Sequence, residues 1–164
     1  MKKHIPNLIT TIRIILIPFV IYYYFKNIYI SIALFIISSL TDALDGYLSR
    51  KWNVVSDIGK LLDTVADKFL SISTLILLIC DEKLIIITII LELIIATINI
   101  YKKYNNLNPK TLKIGKVKTV FLCIMISCLL LSKVIPNFKY IYIMLFIMTS
   151  IFQIEAIKEY KSFH

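Results

Sequence analysis

The chain has 164 residues, 59% of them hydrophobic and 18% charged, with 19 Lys and Arg against 10 Asp and Glu for a formal charge of +9. A mean hydropathy of +0.82 excludes an ordinary soluble domain and reads as an integral membrane protein. At roughly 20 residues per span, the length holds about six transmembrane helices and no separate soluble domain, so residues 1–164 are expected to form one all-α, polytopic membrane domain.

The first expected span runs from about Leu8 to Phe25, entered through Pro6 and Asn7, where proline suits the first helical turn. Met1-Lys2-Lys3 before an apolar run resembles a signal peptide, but Arg13 interrupts the run and no small-residue cleavage site follows, so it is read as a span. Asn7, Thr10 and Arg13 recur every third residue and share a face. Either they contact a substrate headgroup, or Asn7 caps, Thr10 bonds back to the helix and Arg13 snorkels to the interface. The second span, about Ile28 to Ser49, meets Asp42 and Asp45 only in its last two turns. The third, about Asp57 to Cys80, begins with Asp57, Lys60, Asp63, Asp67 and Lys68 and turns apolar after them. The two acidic pairs are therefore expected at similar depth near one membrane surface.

Asp81, Glu82 and Lys83 make a polar turn before the fourth span, about Leu84 to Tyr101, which carries Glu92 near its middle. An intramembrane glutamate is either functional or a protonated helix-to-helix hydrogen bond. Residues 102–118 form the longest polar stretch, with six lysines. The fifth span runs on to about Leu131, Pro136 marks a short loop, and the sixth covers about Tyr140 to Ile157. Six spans return both termini to one side. On that side fall Lys2, Lys3, Arg50, Lys51, the six lysines of 102–118, Lys158 and Lys161, while the other side holds only Lys26, Lys83, Lys133 and Lys139. The bias makes the acidic side cytoplasmic. The basic charge thus fits anionic lipid better than nucleic acid, for which no soluble basic face exists. Cys80, Cys123 and Cys128 have no metal-ligand spacing, and His4 and His164 lie at the termini, so neither type builds a metal cluster.

The chemistry is concentrated in Asp42-x2-Asp45-Gly46-x2-Ser49-Arg50-x8-Gly59-x3-Asp63-x3-Asp67. Spacings of three and four residues put Asp42 with Asp45, and Asp63 with Asp67, on one helical face each. The polar break between them lets the pairs face each other across an antiparallel junction. Crowded carboxylates repel unless protonated or neutralised, and two divalent cations balance four negative charges. Hard cations on aspartates suit phosphoryl chemistry, and Arg50 offers a forked donor to a phosphate. Gly46 and Gly59, two of only three glycines, let a flat ligand or another helix approach closely.

This run resembles the signature of the CDP-alcohol phosphatidyltransferases at every spaced position except Ser49, where alanine is usual. The resemblance implies a six-helix membrane fold, usually dimeric, on the cytoplasmic membrane of a bacterium. It implies that Asp42, Asp45, Asp63 and Asp67 hold two divalent ions, Mg2+ or Mn2+, beneath the diphosphate of CDP-diacylglycerol. Asp67 would also take the proton from the acceptor hydroxyl, and Gly46, Arg50 and Gly59 would line the CDP-lipid site. Within the family, Pro6-Asn7-Leu8-Ile9-Thr10 with Arg13, Gly59-Lys60-Leu61-Leu62-Asp63 running to Ala66-Asp67-Lys68, and Gly115-Lys116-Val117-Lys118-Thr119 resemble the bacterial phosphatidylglycerophosphate synthases. That branch implies glycerol 3-phosphate as acceptor, with Lys116 and Lys118 near its phosphate; ordinary positive-inside loop charge accounts for both lysines equally well.

Leu91 and Asn99 stand where those synthases commonly carry arginine, and Thr64 where proline is usual. Fewer cations favour the alternative of another alcohol, such as phosphatidylglycerol, serine or an inositol compound. A cation transporter would account for the carboxylates alone, and would place them at mid-bilayer between broken helices. A silent scaffold would account for none of them.

Overall fold

The computed structural model describes residues 5–51, 57–104 and 113–162, with the side chains at 5–10, 42–51, 57–64, 103, 113 and 161–162 outside the description. The described residues form six helices: α1 (Ile5–Lys26), α2 (Ile28–Lys51), α3 (Asp57–Leu78), α4 (Ile85–Tyr104), α5 (Lys113–Ser132) and α6 (Phe138–Ser162). Their bounds lie within a few residues of the apolar runs read from the sequence, because long apolar stretches between polar breaks favour helices. Within the described residues, Ile85–Lys102, Ile114–Ser132 and Phe138–Tyr160 are long and apolar enough to cross a membrane, and Ile28–Thr41 is a shorter apolar stretch. The chain therefore has the character of an integral membrane protein.

The helices divide into two compact units, Met1–Leu77 and Leu78–His164. In the first, α1 and α2 pack together around Asn27, the single residue between them. Asn27 caps α2, its Oδ1 accepting from the Tyr29 and Ile30 amides at 3.1 and 3.4 Å. One helix then grips the other through Ser31, whose hydroxyl donates to the Val20 carbonyl at 2.9 Å. Ile17 and Val20 of α1 are buried, as are Ile32 and Phe35 of α2. The buried stripe of α2 runs Ser31, Phe35, Ser38, and the same register along the helical backbone leads to positions 42 and 45.

In the second unit α6 packs against both α4 and α5. Met125, Ile126 and Leu130 of α5 and Tyr142 and Ala156 of α6 are buried, and the rings of Phe121 and Phe152 meet at 5.0 Å. The opposite stripe of α4, including Ile86, Ile90 and Leu93, is exposed and apolar, as a lipid-facing surface requires. Two ion pairs tie the α3–α4 turn to the α5–α6 turn, Lys133 to Asp81 at 2.8 Å and Lys139 to Glu82 at 2.6 Å.

Glu92, Lys118 and Gln153 meet inside this unit, each almost fully shielded from solvent. Glu92 Oε1 accepts from Lys118 Nζ at 2.5 Å and from Gln153 Nε2 at 3.1 Å. The glutamate is thus a cross-link between α4, α5 and α6, with a lysine in place of the proton that a lone buried acid would need. Removing one partner strands the other charge in low dielectric, at a cost of about 3–5 kcal/mol. Glu92→Leu and Lys118→Met should each lower the unfolding temperature in detergent micelles, and the double variant should recover most of the loss.

Candidate active site

The backbone on which the four aspartates sit is helical, as α2 continues to Lys51 and α3 begins at Asp57. Positions 42 and 45, and 63 and 67, accordingly share a stripe on their own helices. The side chains of Asp42, Asp45, Gly46, Arg50, Gly59 and Asp63 lie outside the described residues, as do those of Asn7 and Thr10 and the whole of 52–56.

Asp67 is described, and it has a defined partner. Its Oδ1 accepts from Arg13 Nη1 at 2.7 Å, joining α3 to α1. The Arg13 side chain is 0% exposed and that of Asp67 30% exposed. A guanidinium withdrawn fully from water needs a counter-charge, whereas a carboxylate left partly open can still meet an incoming group. The α3 backbone at this point is braced from the next turn, where the Ser71 hydroxyl donates to the Asp67 carbonyl at 2.8 Å. Arg13 does not snorkel to an interface. It sits on the stripe of α1 that holds Ile17 and Val20, all three buried.

The two lysines expected at an acceptor phosphate are not brought together. Two residues apart on α5, they point to roughly opposite sides, with Lys116 exposed and Lys118 buried against Glu92. Beside them, an added Cβ at Gly115 would lie 2.9 Å from the Tyr160 hydroxyl. Tyr160 also has the Asn99 side chain as a hydrogen-bond partner, so the tip of α6 reaches α4 across the start of α5. Gln153 and Tyr160 were not singled out from sequence. The signal at Gln153 was a buried-type glutamine within an apolar helix; Tyr160 resembles the chain's other tyrosines and carried none.

The donor set is suited to hard divalent ions: carboxylate oxygens, with Cys128 buried and Cys80 and Cys123 on other stretches of chain. Among the described residues no group of three or more His, Cys, Asp or Glu could hold a metal, because three of the four aspartate side chains fall outside them. A carboxylate offers about four lone-pair sites, so the bond from Arg13 does not by itself exhaust Asp67. The one described carboxylate of the motif, Asp67, is of the donor type that such ions take.

The lysine geometry has a direct chemical readout. An amine-acylating reagent applied to the protein in micelles, followed by peptide mass spectrometry, should modify Lys116 readily and Lys118 far more slowly. Equal labelling would mean that the buried pair does not persist.

The chain matches the family model for CDP-alcohol phosphatidyltransferase over residues 3–153. A Rickettsia felis protein is 30% identical over 138 residues, covering 79% of this chain and 76% of its own length. One from Rickettsia bellii is 29% identical over 147 residues, 85% of this chain and 81% of its own. A Haemophilus influenzae protein is 40% identical over 93 residues, 54% of this chain and 50% of its own. All three bear the name CDP-diacylglycerol–glycerol-3-phosphate 3-phosphatidyltransferase. A family match that takes in α1 through most of α6, including the whole aspartate motif, settles the assignment: the chain belongs to the CDP-alcohol phosphatidyltransferase family.

Proposed function

We propose that this protein transfers a phosphatidyl group from CDP-diacylglycerol to the hydroxyl of glycerol 3-phosphate and releases CMP. The observation that carries the reading is the complete spaced motif of four aspartates, two glycines and Arg50 on α2 and α3, in a chain whose relatives are named for that reaction over most of their length. Asp67 takes the proton from the acceptor hydroxyl. The resulting alkoxide oxygen bonds to the phosphorus that carries the diacylglycerol, the bond from that phosphorus to the CMP oxygen breaks, and CMP leaves with the electron pair. A carboxylate serves because it need only be within about 2.6–3.2 Å of the hydroxyl. Asp42, Asp45, Asp63 and Asp67 would hold two divalent ions, Mg2+ or Mn2+, whose chemistry is to neutralise the diphosphate charge. Gly46, Arg50 and Gly59 line the cytidine diphosphate, with Asn7 and Thr10 near the headgroup. Lys116, an exposed residue, is the simpler cation for an acceptor phosphate; Lys118 reaches one only by leaving Glu92.

In this reading the whole chain is one domain of six spans, paired as a homodimer in the cytoplasmic membrane of a bacterium. Both termini and the aspartates face the cytoplasm. The excess of lysines on that side, against only Lys26, Lys83, Lys133 and Lys139 opposite, supports that orientation. Another alcohol acceptor, phosphatidylglycerol, serine or an inositol compound, is the second reading. It is favoured by the neutralisation of Lys118 and by Leu91 and Asn99.

An acceptor panel with purified protein decides between them. CMP release from CDP-diacylglycerol should require glycerol 3-phosphate and stop on chelation of divalent ions. Product with another alcohol and none with glycerol 3-phosphate would replace the acceptor but keep the chemistry. Asp67→Asn should abolish turnover beyond any loss of folded protein, measured in parallel because Arg13 loses its carboxylate. Lys116→Ala should mainly raise the KM for glycerol 3-phosphate.

A further inference from the structure

We propose that Arg13 is the positioning residue of Asp67, an inference that rests on reading Asp67 as the base of a phosphatidyl transfer. The guanidinium is completely shielded, lies on the buried stripe of α1 with Ile17 and Val20, and donates to Asp67 Oδ1 at 2.7 Å. On its own, a carboxylate turns broadly about its terminal torsion, since that sp³–sp² rotation has no sharp wells. A charge-assisted bond from a buried guanidinium narrows that freedom. With the α3 backbone braced by Ser71 on one side, Arg13 sets how the partly exposed carboxylate is presented on the other. Aim of this kind is worth a great deal, because a misplacement near 1 Å costs about a hundredfold in rate. In this reading the third member of the stripe Asn7, Thr10, Arg13 serves the base.

The same geometry has a second consequence that a packing role lacks. A fixed positive charge on a carboxylate weakens that group's hold on any other cation. Removing the charge should tighten divalent-ion binding while slowing turnover, two effects of opposite sign. A residue needed only for folding would reduce both together.

The test uses the full-length protein in detergent micelles, with Arg13→Gln and Arg13→Lys. Three readouts are taken: Mn2+ binding without substrate by electron paramagnetic resonance, kcat and KM for CDP-diacylglycerol, and thermal unfolding. Arg13→Gln should lower the Mn2+ Kd about tenfold and kcat about a hundredfold, with the CDP-diacylglycerol KM within about twofold of the parent's. Arg13→Lys keeps the charge on a mobile point donor, so its Mn2+ Kd should stay near the parent's while kcat falls about tenfold. Parent-like kcat in Arg13→Lys overturns the proposal, as do Mn2+ affinity and kcat falling in step with the folded fraction. If Arg13→Gln yields no folded protein, Arg13→Lys decides by the same criteria; if neither folds, Arg13 is a structural counter-ion and the proposal fails. A parent that releases no CMP from CDP-diacylglycerol sinks the transfer reading and this inference with it. An active parent with indifferent variants sinks this inference alone.

Discussion

In a chain that is 59% hydrophobic, a charged side chain in the interior is stabilised when an opposite charge reaches it from another helix. Two such meetings organise the described residues. Arg13 and Asp67 join α1 to α3 in the first unit, and Lys118 and Glu92 join α5 to α4 in the second, with Gln153 adding α6. Apolar packing alone gives helices in lipid little reason to prefer one partner or register over another, because the tails solvate a leucine as well as a neighbouring helix does. A misregistered helix leaves an ion unpaired, and so the pairs select one arrangement.

The two pairs differ in what they leave open. Lys118 and Glu92 are both sealed, and their charges cancel where nothing outside can reach them. Arg13 is sealed but Asp67 is not. That asymmetry suits a base: a fully buried cation holds a carboxylate that is itself partly exposed. It also places an electrostatic constraint on the acidic motif, since one of its four carboxylates has a permanent cationic neighbour. The difference between a sealed and a half-open pair separates a cross-link from a group available for chemistry.

Much of this was legible in the residues themselves. Runs such as Leu84 to Tyr101 and Tyr140 to Ile157, bounded by Asp81-Glu82-Lys83 and by Pro136, mark helices and turns by local pattern, and α4 and α6 fall within a few residues of them. The aspartate motif was legible because its spacing is helical and its residue type is costly in lipid. Cross-helix pairings were not. Periodicity says that Arg13 and Asp67 each lie on some face of their own helix, but which face meets which depends on packing between segments 54 residues apart. Periodicity alone puts Lys116 and Lys118 on opposite sides of α5, but that Lys118 is the one buried, against Glu92, depends on packing. The same limit also hid Gln153, whose role exists only once Glu92 arrives from a helix 61 residues away.

The central claim is that a bond between a sealed guanidinium and a partly exposed carboxylate couples α1 to α3. A double-mutant cycle on Arg13→Gln and Asp67→Asn, read as unfolding free energies in micelles, measures it most directly. The account predicts a coupling of at least about 1 kcal/mol, the double variant being less destabilised than the sum of the singles. Additivity within about 0.3–0.5 kcal/mol would contradict it.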